Sequence, residues 1–176
     1  MRAATRFLTI PFLFVALVTS VATMPPAPAM AQVAQPIRVP SEGGARDDGI
    51  SDRDLQCLAK NIYWEAGGES DVGKAAVAAV TLNRANHPRY PGSVCGVVYQ
   101  NVGRSCQFSW ACNAKRNKTP TGLRWRQSVE VAERVLSGDM DDPTGGALYF
   151  HGTRERPSWS RTRLLTTRLG GHIFYR

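Results

Sequence analysis

The sequence predicts a helix-dominated α+β fold, a single domain carrying a small antiparallel sheet. Three observations predict it. Apolar residues recur at helical spacing in two stretches, Leu55-Leu58-Ala59-Ile62-Tyr63 and Trp125-Val129-Ala132-Val135. Residues 72–82 are almost free of charge and rich in alanine, the pattern of a helix enclosed by other elements. β-branched and aromatic residues gather near the end, over residues 147–151, 164–169 and 172–175, which read as two or three short strands packed beside the helices.

With 176 residues, the chain has room for one domain of ordinary size once its leading segments are set aside. Arg2 and Arg6 precede an uncharged run over residues 7–21, and Ala29-Met30-Ala31 supplies the small-x-small pattern that a signal peptidase cuts. Residues 1–31 are therefore expected to be a cleaved export signal. The run is interrupted by Pro11 and is short for a membrane span, which needs roughly 20 residues, so no stable span is expected after cleavage. Residues 32–50 are rich in Pro, Gly and charge without a sustained period and read as a flexible linker. Residues 51–176 form the predicted folded domain.

Lys and Arg outnumber Asp and Glu, 22 to 14, and the chain carries a formal charge of +8. A basic exported protein suits polyanions such as the bacterial wall, phospholipid surfaces or nucleic acid. Arg154, Arg156, Arg161, Arg163 and Arg168 hold much of that charge and read as a solvated face. The sequence has no internal repeat, no Gly-rich phosphate loop after a strand and no nucleic-acid module signature, so neither a nucleic-acid partner nor a cofactor is expected.

All four cysteines, Cys57, Cys95, Cys106 and Cys112, follow the expected cleavage point, and export favours disulfides. Of the three possible pairings, Cys106 with Cys112 is expected to close a short loop. That leaves Cys57 with Cys95 to tie the first helix to a later segment. A zinc site is the rival, yet no C-x-x-C is present, and no metal is expected.

Along the chain, Ser51 and Asp54 resemble a capping box, and the first helix follows. Glu65 continues its apolar stripe, three residues after Ile62, so its carboxylate projects from a face that Leu58 and Ile62 bury. A carboxyl so placed is partly desolvated, which raises its pKa and leaves a proton to donate near neutral pH. Gly67-Gly68 ends the helix, and Ser70 or Asp71 caps the next. Glu69 is either a charge beside that helix start or a second acid in the cleft.

Asn83, near the end of the second helix, either hydrogen-bonds the helix end or orients Glu65 or a substrate. After a turn-rich stretch and a short segment over 94–100, the sequence CQFSWAC places Gln107, Phe108, Ser109 and Trp110 on a cross-linked loop. Amides and aromatic faces together suit sugar rings, the alternative being a mini-core under the loop. A further helix over 123–136 stops at Gly138, and the turn-rich residues 138–146 lead into the strands.

Five blocks carry a resemblance: IYWEAGGE at 62–69, GKAAVAAVTLNR at 73–84, QFSW at 107–110, DPTGGALYFH at 142–151 and GGHIFY near the end. From Leu58 to Tyr175 the chain resembles the catalytic domain of the SleB/CwlJ-type cell wall hydrolases. The resemblance implies a lysozyme-like fold related to lytic transglycosylases, and cleavage of the β-1,4 bond between N-acetylmuramic acid and N-acetylglucosamine in peptidoglycan strands. Glu65 aligns with the family's catalytic glutamate. Glu69 is the second catalytic candidate, and Asn83, Gln107, Phe108, Trp110, Tyr149 and His172 are the candidate substrate contacts. Gly67 departs from the family, whose members often carry arginine there. No separate peptidoglycan-binding domain is read in the chain, which implies binding by the catalytic domain alone or with partners.

The expected protein is an exported, periplasmic or extracellular monomer that forms 1,6-anhydro ends with Glu65 as acid and then base. That route needs no second carboxylate; with Glu69 in the cleft, lysozyme-type hydrolysis is the alternative. Two further readings stay open: a metal-dependent wall amidase using His87, His151 and His172, and a non-catalytic wall-binding protein.

Overall fold

The computed structural model describes residues 50–176. The expected export signal and most of the expected linker lie outside the described residues. Helix α1 (Asp52–Ala66) starts at Ser51, whose side chain accepts the Asp54 amide. The capping box is not reciprocal, because the Asp54 carboxylate reaches across the fold to the Cys95 amide at 3.4 Å. Leu55, Leu58, Ala59 and Ile62 are fully buried, as their spacing predicts. Of the two expected caps for helix α2 (Asp71–Ala85), Ser70 fills the role.

Helix α2 is enclosed along nearly its whole length, and its alanines let neighbours approach on every side. On one face Ala75, Ala78 and Leu82 join the main core with α1 and with helix α4 (Leu123–Leu136). On another, Ala76 and Val80 meet Ala147 and Phe174 beneath the sheet. Residues 94–100, left unassigned from sequence, begin as a short helix α3 (Val94–Val98) capped by Ser93. The Cys57–Cys95 disulfide bonds α3 to α1, and Cys106–Cys112 closes the CQFSWAC loop, both as expected.

A two-residue hairpin, β1 (Asn101–Val102) with β2 (Ser105–Cys106), precedes that loop. The sequence reading missed it, since strands this short carry too few residues for an alternating pattern. The predicted C-terminal strands form one antiparallel sheet. Its strands are β3 (Tyr149–Gly152), β4 (Leu165–Leu169) and β5 (His172–Tyr175), in the order β3-β5-β4. β5 lies in the centre and contributes the fully buried Phe174.

Two glycines are required by close approach. A Cβ on Gly67 would collide with the Tyr63 carbonyl oxygen, so the turn after Glu65 is built for glycine. Gly170, in the β4–β5 turn, has φ +53°, and a Cβ there would collide with the Glu69 carboxylate.

Candidate active site

Glu65 lies in the last turn of α1, and burial and two charged neighbours set its chemistry. Burial lifts its carboxyl from the usual 4.5 to about 7, the negative charge of Glu155 adds to the lift, and Arg84 opposes it. A carboxyl balanced near neutrality can both give and take a proton. Glu155, on the turn after β3, is exposed and was not among the residues singled out from sequence. Its charge, not that of Glu69, is the acidic one felt at Glu65.

Glu69 has a different occupation. Its Oε2 accepts the Gly171 amide at 3.1 Å, fastening the β4–β5 hairpin to the start of α2. Of the two sequence readings of Glu69, the structure adds this third: a strap from helix to hairpin.

Arg84 was also missed. It follows Ala76 and Val80 along the α2 face that meets the sheet, and only 4 % of it is exposed. Its Nε donates to the Leu148 carbonyl at 2.7 Å. Three rings surround its guanidinium, those of Tyr90, Phe108 and Tyr149, at 5.5, 5.6 and 6.0 Å. A helix-terminal arginine looks ordinary in sequence; only the sheet packed over it makes it a buried cation.

Phe108 and Trp110 were expected to offer faces to a substrate, and here the structure corrects the reading. Trp110 is 1 % exposed and donates its indole N–H to Asn61 Oδ1 at 3.3 Å; Phe108 is 4 % exposed and lies under Arg84. Both fill the core, where the hydrogen bond from Trp110 to Asn61 fastens the CQFSWAC loop to α1. Gln107 is half-buried beside them, its backbone N–H donating to the Gln100 carbonyl. Asn61 completes the network by donating to Thr81 on α2, fixing the α1 turn that leads to Glu65.

Asn83 bonds across the fold rather than within the helix end. Its Nδ2 donates to Asp142 at 2.9 Å and to the Ala147 carbonyl at 3.1 Å, so it organises the turn that delivers β3. Tyr149, first residue of β3, is half-buried, hydrogen-bonded to Tyr90 and stacked beneath Arg163. His172 packs edge-on against Phe150. Burial lowers its pKa, against the raising charges of Glu69 and Glu155.

The three histidines do not assemble a metal site. His151 spends one nitrogen on the Gly152 carbonyl and the other on the Tyr175 hydroxyl, and His87 accepts the Arg89 amide. No group of three His, Cys, Asp or Glu placed for a metal occurs among the described residues.

Fold and site together define a lysozyme-like, helix-cradled domain in which a carboxyl of raised pKa is buried near an arginine ringed by aromatic side chains. The chain belongs to the cell wall hydrolase family, whose profile matches residues 68–175. That match begins just past Glu65, so the placement of Glu65 rests on its position in the fold and its shifted pKa.

Among curated relatives, the chain is similar to a spore cortex-lytic enzyme of Halalkalibacterium halodurans, 37% identical over 129 residues, covering 72% of this chain and 36% of the relative. A spore cortex-lytic enzyme of Bacillus subtilis is 32% identical over 131 residues, covering 72% of this chain and 38% of the relative. The chain thus spans well under half the length of these two relatives. Among solved structures it resembles the catalytic domain of the germination-specific lytic transglycosylase SleB from Bacillus anthracis. The TM-score is 0.61 at 32% identity, covering 73% of this chain and 98% of that one. The catalytic domain of the Bacillus cereus SleB protein gives a TM-score of 0.60 at 32% identity, covering 76% of this chain and 100% of that one.

Proposed function

We propose that the protein cleaves the glycan strands of peptidoglycan at the N-acetylmuramic acid–β-1,4–N-acetylglucosamine bond as a lytic transglycosylase, with Glu65 as the acid–base group. One observation carries this reading: burial holds the Glu65 carboxyl at about 7. Half-protonated at neutral pH, Glu65 delivers its proton to the glycosidic oxygen as the sugar gains oxocarbenium character. The resulting carboxylate then takes the proton from the muramic 6-hydroxyl, whose oxygen closes on the anomeric carbon and leaves a 1,6-anhydro end. Glu65 returns to its starting form with no water consumed. The relatives' printed roles, a lytic transglycosylase among them, support the same assignment.

A second reading has its own observation. The charge of Glu155 reaches Glu65, and a second carboxylate across the bond is what hydrolysis requires. Water would then enter the product. The protein acts outside the cytoplasm as a monomer, after removal of residues 1–31, on a polyanionic wall that suits its positive charge.

Mass spectrometry of fragments released from purified peptidoglycan tests both readings. Anhydro-muramic ends that vanish in Glu65→Gln are the expected result. Reducing ends carrying an added water would transfer the assignment to hydrolysis. Intact glycan with freed peptides would overturn both in favour of an amidase, and binding with no cleavage would favour a wall-binding protein.

A further inference from the structure

We propose that Arg163, Tyr149 and Tyr90, backed by Arg84, form a carboxylate-binding subsite beside Glu65 that holds an acidic group of the substrate. The inference deepens the glycan-cleaving reading and rests on it for the identity of the substrate.

The first observation is a pair of guanidinium groups with unspent donors. Arg163 Cζ lies 3.5 Å from the centre of the Tyr149 ring, and its Nε is buried without a hydrogen-bond partner. Arg84 Nη1, inside the same aromatic cluster, is likewise buried and unpartnered. A buried cation whose donors lack acceptors is costly, and an anion at the accessible edge of the cluster offsets part of that cost through its charge. Arg84 lies too deep for direct contact, whereas Arg163, Tyr149 and Tyr90 are only half-buried and form the reachable wall.

The second observation is the state of the tyrosines. Burial alone would raise the Tyr149 pKa, yet the hydrogen bond from Tyr90 and the charges of Arg163, Arg89 and Arg84 outweigh it and lower the value. The cations therefore favour negative charge on the Tyr149 side, while burial and the hydrogen bond to Tyr149 raise the pKa of Tyr90. Glu65 does not neutralise these cations fully, being substantially protonated near pH 7, and Glu155 is exposed to solvent.

The Arg163 guanidinium beside the Tyr149 hydroxyl matches a carboxylate, which takes two donors in one plane, while Tyr90 spends its own proton on Tyr149. The substrate offers that group from two sources, the acids of the stem peptides and, on muramic residues that carry no peptide, the lactyl acid, which a stem peptide otherwise ties up as an amide. Arg84 joins the subsite to the reacting bond, since its charge is felt at both Tyr149 and Glu65.

The test uses the Glu65→Gln protein, which holds strands without turning them over, and soluble glycan strands with carboxylates either native or converted to methylamides. Native strands are expected to bind roughly tenfold more tightly, the worth of about one charge-assisted contact. Adding Arg163→Gln removes that preference, and Arg163→Lys restores part of it. Equal binding of both strand types, no binding of native strands, or a preference that survives in Arg163→Gln would overturn the subsite.

Repeating the comparison with strands stripped of peptides separates the sources. Stripping frees the lactyl acid, so a preference retained there shows that the subsite accepts the lactyl acid, and one lost there assigns the stem peptide. Because the readout is binding, a wild-type protein that fails to cleave glycan would refute the proposed reaction without deciding this experiment.

Discussion

Trp110 donates its indole N–H to Asn61 Oδ1, and through Asn61 the CQFSWAC loop is bonded to both α1 and α2. Trp110→Ala is therefore expected to act on stability, costing about 3–5 kcal/mol from the cavity it leaves. Trp110→Phe keeps the bulk but strands Asn61 Oδ1, costing about 1–3 kcal/mol. Urea titrations measure both. A Trp110→Ala protein of unchanged stability and weakened strand binding would restore Trp110 to the cleft.

Glu65 makes stability depend on pH. Its folded pKa, about 7, exceeds the ordinary 4.5. The folded state thus holds this proton more tightly, and the associated stability is complete below about pH 4.5 and is lost as pH rises through 7. The full span is about 3 kcal/mol. Glu65→Gln, always neutral, should lack this fall and exceed the wild type in stability at pH 8. Parallel unfolding curves at pH 4.5 and 8 check it, and an identical pH slope in the two proteins would refute a buried, protonated Glu65.

Glu155→Gln removes a negative charge that raises the Glu65 pKa. The alkaline limb of strand cleavage, where Glu65 loses its proton, should move to lower pH, while the maximal rate falls by less than tenfold if Glu155 acts only through its field. A pH profile of kcat/KM reads the shift. Loss of cleavage at every pH would instead make Glu155 the second carboxylate of a hydrolytic reaction.

Glu69→Gln keeps an oxygen for the Gly171 amide and should retain most of the activity, whereas Glu69→Ala loosens the β4–β5 turn at a cost of about 1 kcal/mol. Initial rates and thermal unfolding of the two variants distinguish strap from catalyst. A Glu69→Gln protein as inactive as Glu65→Gln would return Glu69 to the chemistry.

The sequence by itself determined the helices, the C-terminal strands, the cysteine pairing and the place of Glu65. Each of these depends on local spacing: an apolar period of a helix, turn residues, a short loop between two cysteines, and a glutamate continuing a buried stripe. Only the tertiary structure decided what surrounds Glu65. Arg84 became a buried cation because β3 and the Phe108 loop close over it, and Glu155 became its acidic neighbour because the turn after β3 folds back toward α1. Trp110 turned inward for the same kind of reason, since its partner Asn61 stands far away in sequence. Burial and Coulomb interactions depend on distance in space, and spacing along the chain carries no record of contacts between remote segments.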